Sequence, residues 1–479
     1  MSDPHQDHLD GCSRRAFLSQ SVLNLGGIAL GSMLGGRRIT REGPQGTGCP
    51  HHTPRAKSVI WLHMAGSPSH LDTFDPKPKL RELNGQPCPK EIYERERFAF
   101  IKGVPRMLGS PHTFAQHGDC GAWVVDLMPN IASIVDRLTI VRSMSTDQFN
   151  HAPAQFMLHT GSPRLGRPCG GAWLSYGLGS ANHNLPTFVV MVSGGKVPSA
   201  GRSVWGSGFL PTVHQGVELR SSGEPVLFLD DPDGMSRPVR RLSLDALGDL
   251  NRMRHAQTQD PETLTRIAQY ELAFRMQTSV PEVRDLRKEP AAVIEAYGAK
   301  PGQASFANHC LLARRLVESG VRFVQLYDWG WDGHGTGPSD DLMTQFPLKC
   351  RETDRPIAAL IRDLDARGLL DETIVVWSGE FGRTPMNEER NGSKFLGRDH
   401  HPHAFSIFVA GGGFRGGYVH GATDEIGYNV TQDPMDGHDL QATILHQLGI
   451  EHERLTYRFQ GRDYRLTDVK GNVVRELLA

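Results

Sequence analysis

From Ser58 onward the sequence alternates short runs of β-branched and apolar residues with longer stretches of helical periodicity, and that alternation leaves few architectures open. Strand candidates fall at 58–64, 138–141, 186–192, 321–326, 373–377 and 405–409, each bounded by Gly, Pro or polar turn residues. Helical spacing of apolar residues runs through 261–277, 306–319, 355–367 and 438–448. A chain that reads strand, helix, strand buries both element types only by covering a sheet with its own crossovers. The expected fold is therefore α/β, a mostly parallel central sheet sandwiched by helices. Residues 194–241, rich in Gly, Ser and Pro and poor in periodicity, read as a loop-rich insertion capping the sheet.

The amino terminus follows a different logic. Ser13-Arg14-Arg15-Ala16-Phe17-Leu18 places paired arginines before an apolar, Gly-rich stretch at 17–34, which resembles a twin-arginine export signal. Val22, Leu25, Ile28, Leu30 and Leu34 lie among glycines and serines that weaken a packed helix. The expected organisation is a signal segment at 1–34, a tether at 35–57 and one domain at 58–479. The destination is periplasmic or extracellular, with membrane contact only through an uncleaved signal. With 38% hydrophobic residues, 22% charged residues and a formal net charge of -1, nothing electrostatic favours nucleic acid or an anionic membrane as partner. None of the seven cysteines sits in a CxxC pair, which argues against a thiolate-held metal. Without Cys12, in the signal segment, six remain, an even number that an oxidising compartment can pair.

In open parallel sheets ligands bind outside the carboxyl ends of the strands, so reactive residue types just after strand candidates carry most weight. The first strand runs into His63-Met64-Ala65-Gly66-Ser67-Pro68-Ser69-His70-Leu71-Asp72. Strand 321–326 leads to Trp329-Gly330-Trp331-Asp332-Gly333-His334-Gly335, and strand 373–377 to Ser378-Gly379-Glu380-Phe381-Gly382-Arg383. A fourth cluster, Gly397-Arg398-Asp399-His400-His401-Pro402-His403, precedes strand 405–409. Carboxylates and imidazoles converging from separate strand ends make a site for a hard-to-borderline cation, and the glycines let backbone bend tightly around it. A lone histidine is more often a hydrogen-bonded or surface group, but four clusters at strand termini favour a shared site. His400, His401 and His403 cannot all face one centre from an extended segment, so at most two are ligands. The glycine run at 410–417 lacks the Lys-Ser/Thr ending of a phosphate loop and reads as a tight turn. No Gly-x-Ser-x-Gly elbow supports an activated serine, and neither a haem-attachment motif nor a dinucleotide fingerprint supports an oxidoreductase.

The order of these motifs, together with Asn150-His151-Ala152-Pro153-Ala154 and Gly379-Glu380-Phe381-Gly382-Arg383-Thr384-Pro385, resembles the alkaline phosphatase superfamily. It is most similar to a secreted bacterial sulfatase-like branch that is a domain of unknown function, and the resemblance covers the chain from Ser58 to Leu478. It implies that Asp332 and His334 enter a metal site, although their spacing is tighter than usual there. Glu380 sits in the place of an acidic ligand, and Phe381 replaces a neighbouring ligand that it cannot imitate. Asp399-His400 looks like the late Asp-His segment of phosphopentomutases, which makes His400 the preferred ligand over His401. The chain departs from the sulfatases in two places. His63 and Met64 stand where an Asp pair is usual. His151-Ala152-Pro153-Ala154-Gln155 stands where the Cys- or Ser-x-Pro-x-Arg nucleophile segment is usual, which excludes the formylglycine mechanism.

The expected site thus holds a divalent cation (Zn, Mn, Mg or Ca) on Asp332, His334, Glu380 and His400. His151 serves as nucleophile or general base and Arg383 neutralises developing charge. The expected substrate is an ester of phosphate or sulfate, on a small molecule or a polysaccharide. The other reading is a cell-surface binding or assembly protein that keeps the fold without the chemistry.

Overall fold

The computed structural model describes residues 48–94, 96–220, 224, 226, 231 and 234–479. The expected export segment and Cys12 lie outside the described residues. Eight strands form one sheet: β1 (Ser58–Ala65), β2 (Leu138–Met144), β3 (Phe188–Ser193), β4 (Val217–Glu218), β5 (Phe323–Trp329), β6 (Thr373–Ser378), β7 (Phe405–Ala410) and β8 (Tyr418–His420). Their spatial order is β8-β2-β7-β6-β1-β5-β3-β4. β1 lies at the centre, parallel to β5 on one side and to β6 on the other. Only β7 runs against the rest, antiparallel to both β6 and β2. The expected α/β architecture is present, with this one reversed strand inserted between parallel neighbours.

Side-chain alternation along β1 builds two cores. Ile60, Leu62 and Met64 face a layer formed by α6 (Phe306–Glu318) and α7 (Gln345–Ala366), whose Leu312, Leu316, Ile357 and Ile361 are buried against them. Val59 and Trp61 face the opposite layer of α1 (His151–Thr160), α2 (Gly170–Leu178) and α8 (Gly437–Gln447), with Phe156, Trp173 and Ile444. Each fully buried aliphatic or aromatic side chain contributes about 1.5–3 kcal/mol, so a sheet covered on both faces stabilises its own central strands first. His63 shares the Val59 and Trp61 face and is fully buried there.

Several boundaries differ from those expected. α7 begins at Gln345, because the buried face of Phe346, Cys350, Ile357, Ala358 and Ile361 continues through Pro356, a residue that in sequence looks like a helix start. α3 (Arg237–Thr258) begins inside the stretch expected to be loops, and pairs with α4 (Pro261–Arg284) outside the sandwich; α5 (Ala291–Tyr297) follows. The tether expected to reach residue 57 gives way earlier: the backbone of His51 and Ala56 bonds to Gly449 and Gln447, and Ala56 is buried. Cys88, Cys120, Cys169, Cys310 and Cys350 are free thiols, and among the described residues no helix is long and apolar enough to cross a membrane.

Candidate metal centre

The loops leaving β1, β5 and β6 are latched together before any functional side chain is placed. After β1 the chain turns through Gly66 (φ 102°) and Ser67 (φ 61°). A Cβ on Gly66 would lie 2.5 Å from the Asp332 backbone nitrogen, so only glycine admits the β5 loop this close. Ser67 Oγ accepts hydrogen bonds from the backbone nitrogens of Glu380 (2.9 Å) and Phe381 (3.1 Å), which ties the β6 loop to the same turn. The fourth segment arrives from the start of β7. His400–His401 pairs antiparallel with Gly382–Arg383, and Arg398 forms a buried bidentate pair with Asp72 at 2.7 and 3.2 Å.

Around this frame His151, Asp332, His334 and His400 each present one ligand-type atom, all within 4.8 Å of one another. Asp332 Oδ1 lies 2.9 Å from Nε2 of His334, 3.2 Å from that of His151 and 3.5 Å from that of His400. The other nitrogen of each ring is already committed. His151 Nδ1 donates to Glu380 Oε1 (2.6 Å), His334 Nδ1 to Glu388 Oε2 (2.5 Å) and His400 Nδ1 to the Phe149 carbonyl (2.8 Å). Arg390 also approaches His334 Nδ1 at 3.2 Å, but a carboxylate oxygen at 2.5 Å is satisfied only by an N–H, which fixes the tautomer. Each ring therefore turns an Nε2 lone pair toward Asp332, and the buried Nε2 atoms of His151 and His400 have no hydrogen-bond partner among the described residues. Imidazoles whose Nδ1–H is held by a carboxylate or carbonyl while Nε2 points inward fit a cation. Phe381 packs on the rings of His151 and His400, and Phe100 on those of His334 and His400, limiting their rotation.

The charge balance points the same way. Burial alone would raise the Asp332 pKa, but the Arg383 guanidinium and the three imidazoles hold it well below the usual carboxylate range. Burial opposes the charge on His151, yet Asp332 and Glu380 outweigh it and raise the ring to about 9. His334 is likewise raised against its burial by Asp332 and Glu388. His400, with only a carbonyl at Nδ1, is lowered by burial to about 4. The cluster thus holds positive charge where its lone pairs converge, and a cation there takes the place of those protons.

Glu380, expected among the ligands, stands one bond behind His151. Its Oε1 accepts from Gly66 N (3.1 Å), His151 Nδ1 and Gln155 Nε2 (3.0 Å), while its Oε2 faces His63 Nε2 at 3.2 Å. Behind it His63 Nδ1 meets His159 Nε2 at 3.2 Å, and His159 Nδ1 meets Gln325 Nε2 at 3.0 Å, a row of buried side chains reaching across the sheet. Conversely His151, expected to act on substrate, joins the converging group. Arg383 is fully committed: it bonds Asp332 Oδ1 (2.6 Å), Ser67 O (3.1 Å), Arg398 O (3.1 Å) and Gly66 O, so it orients Asp332 from behind. His401 turns away to the Tyr428 carbonyl (2.5 Å) and His403 lies near Glu96, as strand alternation requires. Glu388, the Phe149 carbonyl, His159 and Gln325 carry no local sequence signal for these roles. A second grouping, His334, Glu388 and Asp399, shares His334; its Asp399 already accepts from the backbone of Phe100, Ile101 and His400.

Residues 56–478 match the model of a family described as "Protein of unknown function (DUF1501)". No curated protein matches the chain. Among solved structures, the chain is similar to the PsFucS1 sulfatase from Pseudoalteromonas sp., at 13% identity and a TM-score of 0.38, over 89% of this chain and 72% of that one. The lipoteichoic acid synthase LtaP from Listeria monocytogenes is 10% identical with a TM-score of 0.33, over 86% of this chain and 74% of that one. The alkaline phosphatase from the Antarctic bacterium TAB5 is 10% identical with a TM-score of 0.29, over 83% and 98%. At these scores the likeness carries no conclusion about the chemistry of this chain.

Proposed function

We propose that this chain, which belongs to the DUF1501 family of proteins of unknown function, is an exported metal-dependent hydrolase of phosphate or sulfate esters. One observation carries the reading: three imidazoles, two of them buried and each fixed through Nδ1, aim Nε2 lone pairs at the carboxylate of Asp332. Three nitrogens and one carboxylate without thiolate suit zinc or manganese better than magnesium or calcium, which favour oxygen-rich sets. A divalent cation held there supplies a Lewis acid that polarises an ester oxygen and lowers the pKa of water. The residues of the chain do the rest by placement. Arg383 keeps Asp332 ionised and oriented, Glu380 and Glu388 set the tautomers of His151 and His334, and Phe100 and Phe381 wall the centre. With His151, His334, His400 and Asp332 committed to the cation and Arg383 to Asp332, attack on an ester falls to water. Segment 1–34 directs export, and the domain that follows performs the reaction.

A second reading, a binding protein at the cell surface, is favoured by the crowding of His400 between Phe100 and Phe381. The two separate in one experiment on the purified protein, combining elemental analysis with turnover of p-nitrophenyl phosphate and p-nitrophenyl sulfate, beside His400→Ala and Asp332→Ala. Hydrolysis that tracks metal content and disappears in both variants supports the hydrolase. Stoichiometric metal without turnover leaves the binding protein, and unchanged metal in both variants overturns the site itself.

A further inference from the structure

A second concavity opens on the same edge of the sheet, beyond the β5 loop. It is a cavity of about 680 Å³ between the end of β3, the start of α6 and the flank of α7. We infer that it is a binding site for a small organic anion, one carrying a carboxylate, phosphate or sulfate group, distinct from the metal centre and independent of the activity proposed for that centre.

Three observations converge on an anion. First, the amino end of α6 faces the cavity through Phe306 and Ala307. The Ser305 side chain caps Asn308 N (3.1 Å) and the Ser305 carbonyl takes His309 N (3.2 Å), which leaves the N–H groups of Phe306 and Ala307 without acceptors among the described residues. Second, Lys349 is nearly fully buried in the wall, its ammonium 2.7 Å from Asp328 and 2.8 Å from Glu352. An ammonium has three donors and these contacts use two. Third, His309 lines the cavity at 2% exposure with an unpartnered Nδ1, and burial keeps the ring neutral, lowered to about 4. The cavity is bordered by four cationic side chains, Lys300, Lys349, Arg351 and Arg355, against the two carboxylates of Asp328 and Glu352. Arg355 is tied to backbone carbonyls of α5 and Arg351 Nε to the carbonyl of Pro347 (3.3 Å), so Lys300 is the bordering cation to alter in a test.

The volume excludes a bare inorganic ion as the natural occupant. Sites for small organic molecules run to about 300–1,000 Å³, and here Tyr297, Phe306 and Pro356 offer apolar wall to the uncharged part of such a molecule. Asp328 also accepts from Ser193 Oγ (2.7 Å) and Trp331 Nε1 (3.0 Å), so the floor is rigid and fully bonded while the helix end is not.

The test uses the full chain stripped of metal, with glucuronate, glucose 6-phosphate and glucose 6-sulfate as probes, glucose as the neutral control and calorimetry as the readout. At least one of the three anions is expected to bind one to one while glucose does not. Ala307→Glu puts a carboxylate where the anion group sits and should weaken binding at least about tenfold. A glutamate in the first turn favours the helix, so that loss does not report unfolding. Lys300→Glu should act in the same direction, and Asp332→Ala, which destroys the metal centre, should leave binding intact. Failure of all three anions to bind, binding that survives Ala307→Glu, or binding that vanishes in Asp332→Ala would each overturn the assignment. The last outcome would place the anion at the metal centre.

Discussion

Replacing Glu380 by glutamine keeps the shape of a buried residue and removes only its charge, which makes it the sharpest probe of how the centre is built. The carboxylate accepts three N–H groups on Oε1 and faces His63 on Oε2. In Glu380→Gln the amide oxygen can take over the Oε1 position, turning its NH2 toward His63 Nε2. His63 then shifts to its Nδ1–H tautomer, His159 follows, and Gln325 flips to offer its unpartnered Oε1. The row of bonds from residue 380 to Gln325 stays intact, so the protein should fold with only a modest loss. What cannot be rebuilt is the charge behind His151 Nδ1, and losing such a partner typically lowers metal affinity about 10–100-fold. That corresponds to about 1.4–2.7 kcal/mol of binding free energy. Competition for zinc against a chromophoric chelator reads this directly, with metal stoichiometry at saturation remaining one. Asp332→Asn, by contrast, should lose stoichiometric binding. If Glu380→Gln also loses it, Glu380 is a ligand and the geometry has been misread. If affinity changes by less than about threefold, the carboxylate does not support His151.

The buried pair of Asp72 and Arg398 pins the His400 segment to the β1 loop, and Asp72→Asn leaves a buried guanidinium without its anion. Urea denaturation should show about 3–5 kcal/mol lost, with Asp72→Leu combined with Arg398→Met costing less than the single change. A single variant as stable as the native chain refutes that role. His214 and His309 are each lowered by burial to about 4, against 6.5 in the unfolded chain. The unfolded state therefore takes up protons first as pH falls, and stability present above pH 6.5 is lost toward pH 4 by up to about 1.4 kcal/mol per pH unit for each ring. Denaturation at pH 7.5, 6 and 5 checks the slope, and His309→Leu should flatten it. Gly66→Ala forces a side chain into φ 102° with its Cβ 2.5 Å from Asp332 N. Beyond strain of about 1–3 kcal/mol it should displace Asp332 and depress metal content, whereas full metal content would show that the loop yields freely.

The sequence reveals six of the eight strands because their β-branched runs end abruptly at Gly, Pro or polar residues, and Ser58–Ala65 is fully buried over its length, whereas the short edge strands β4 and β8 carry no such run. α3 stays hidden because its periodicity points the wrong way: Val239, Leu242, Leu250 and Met253 are exposed and only Leu244 and Gly248 are buried. Within the site, Asp332 and His334 stand out because they follow a strand end beside glycine, and His400 because it adjoins the start of a strand next to Asp399. That Glu380 and Glu388 each stand behind an imidazole is not readable. Glu388 lies in Asn387-Glu388-Glu389-Arg390, which looks like a solvated charged run. Its burial comes from the pairing of Met386–Asn387 with Arg106–Met107, a contact between segments far apart in the chain. Local pattern carries no information about such a pairing, nor about which nitrogen of His151 meets a carboxylate.

One feature of the fold was nevertheless implicit in the motif order. Three polar clusters follow strands and the fourth precedes one. If all strands ran parallel, residues before β7 would emerge at the amino edge of the sheet. A six-residue strand at about 3.3 Å per residue would then leave His400 about 20 Å from Asp332. Their side chains lie 3.5 Å apart, which requires the start of β7 to sit at the carboxyl edge of its neighbours, and β7 is the strand that runs backwards. The reversal is thus the topological condition for a fourth donor to reach the centre. Chemistry that must converge constrains strand direction in a sheet whose hydrophobic pattern fits either direction equally well.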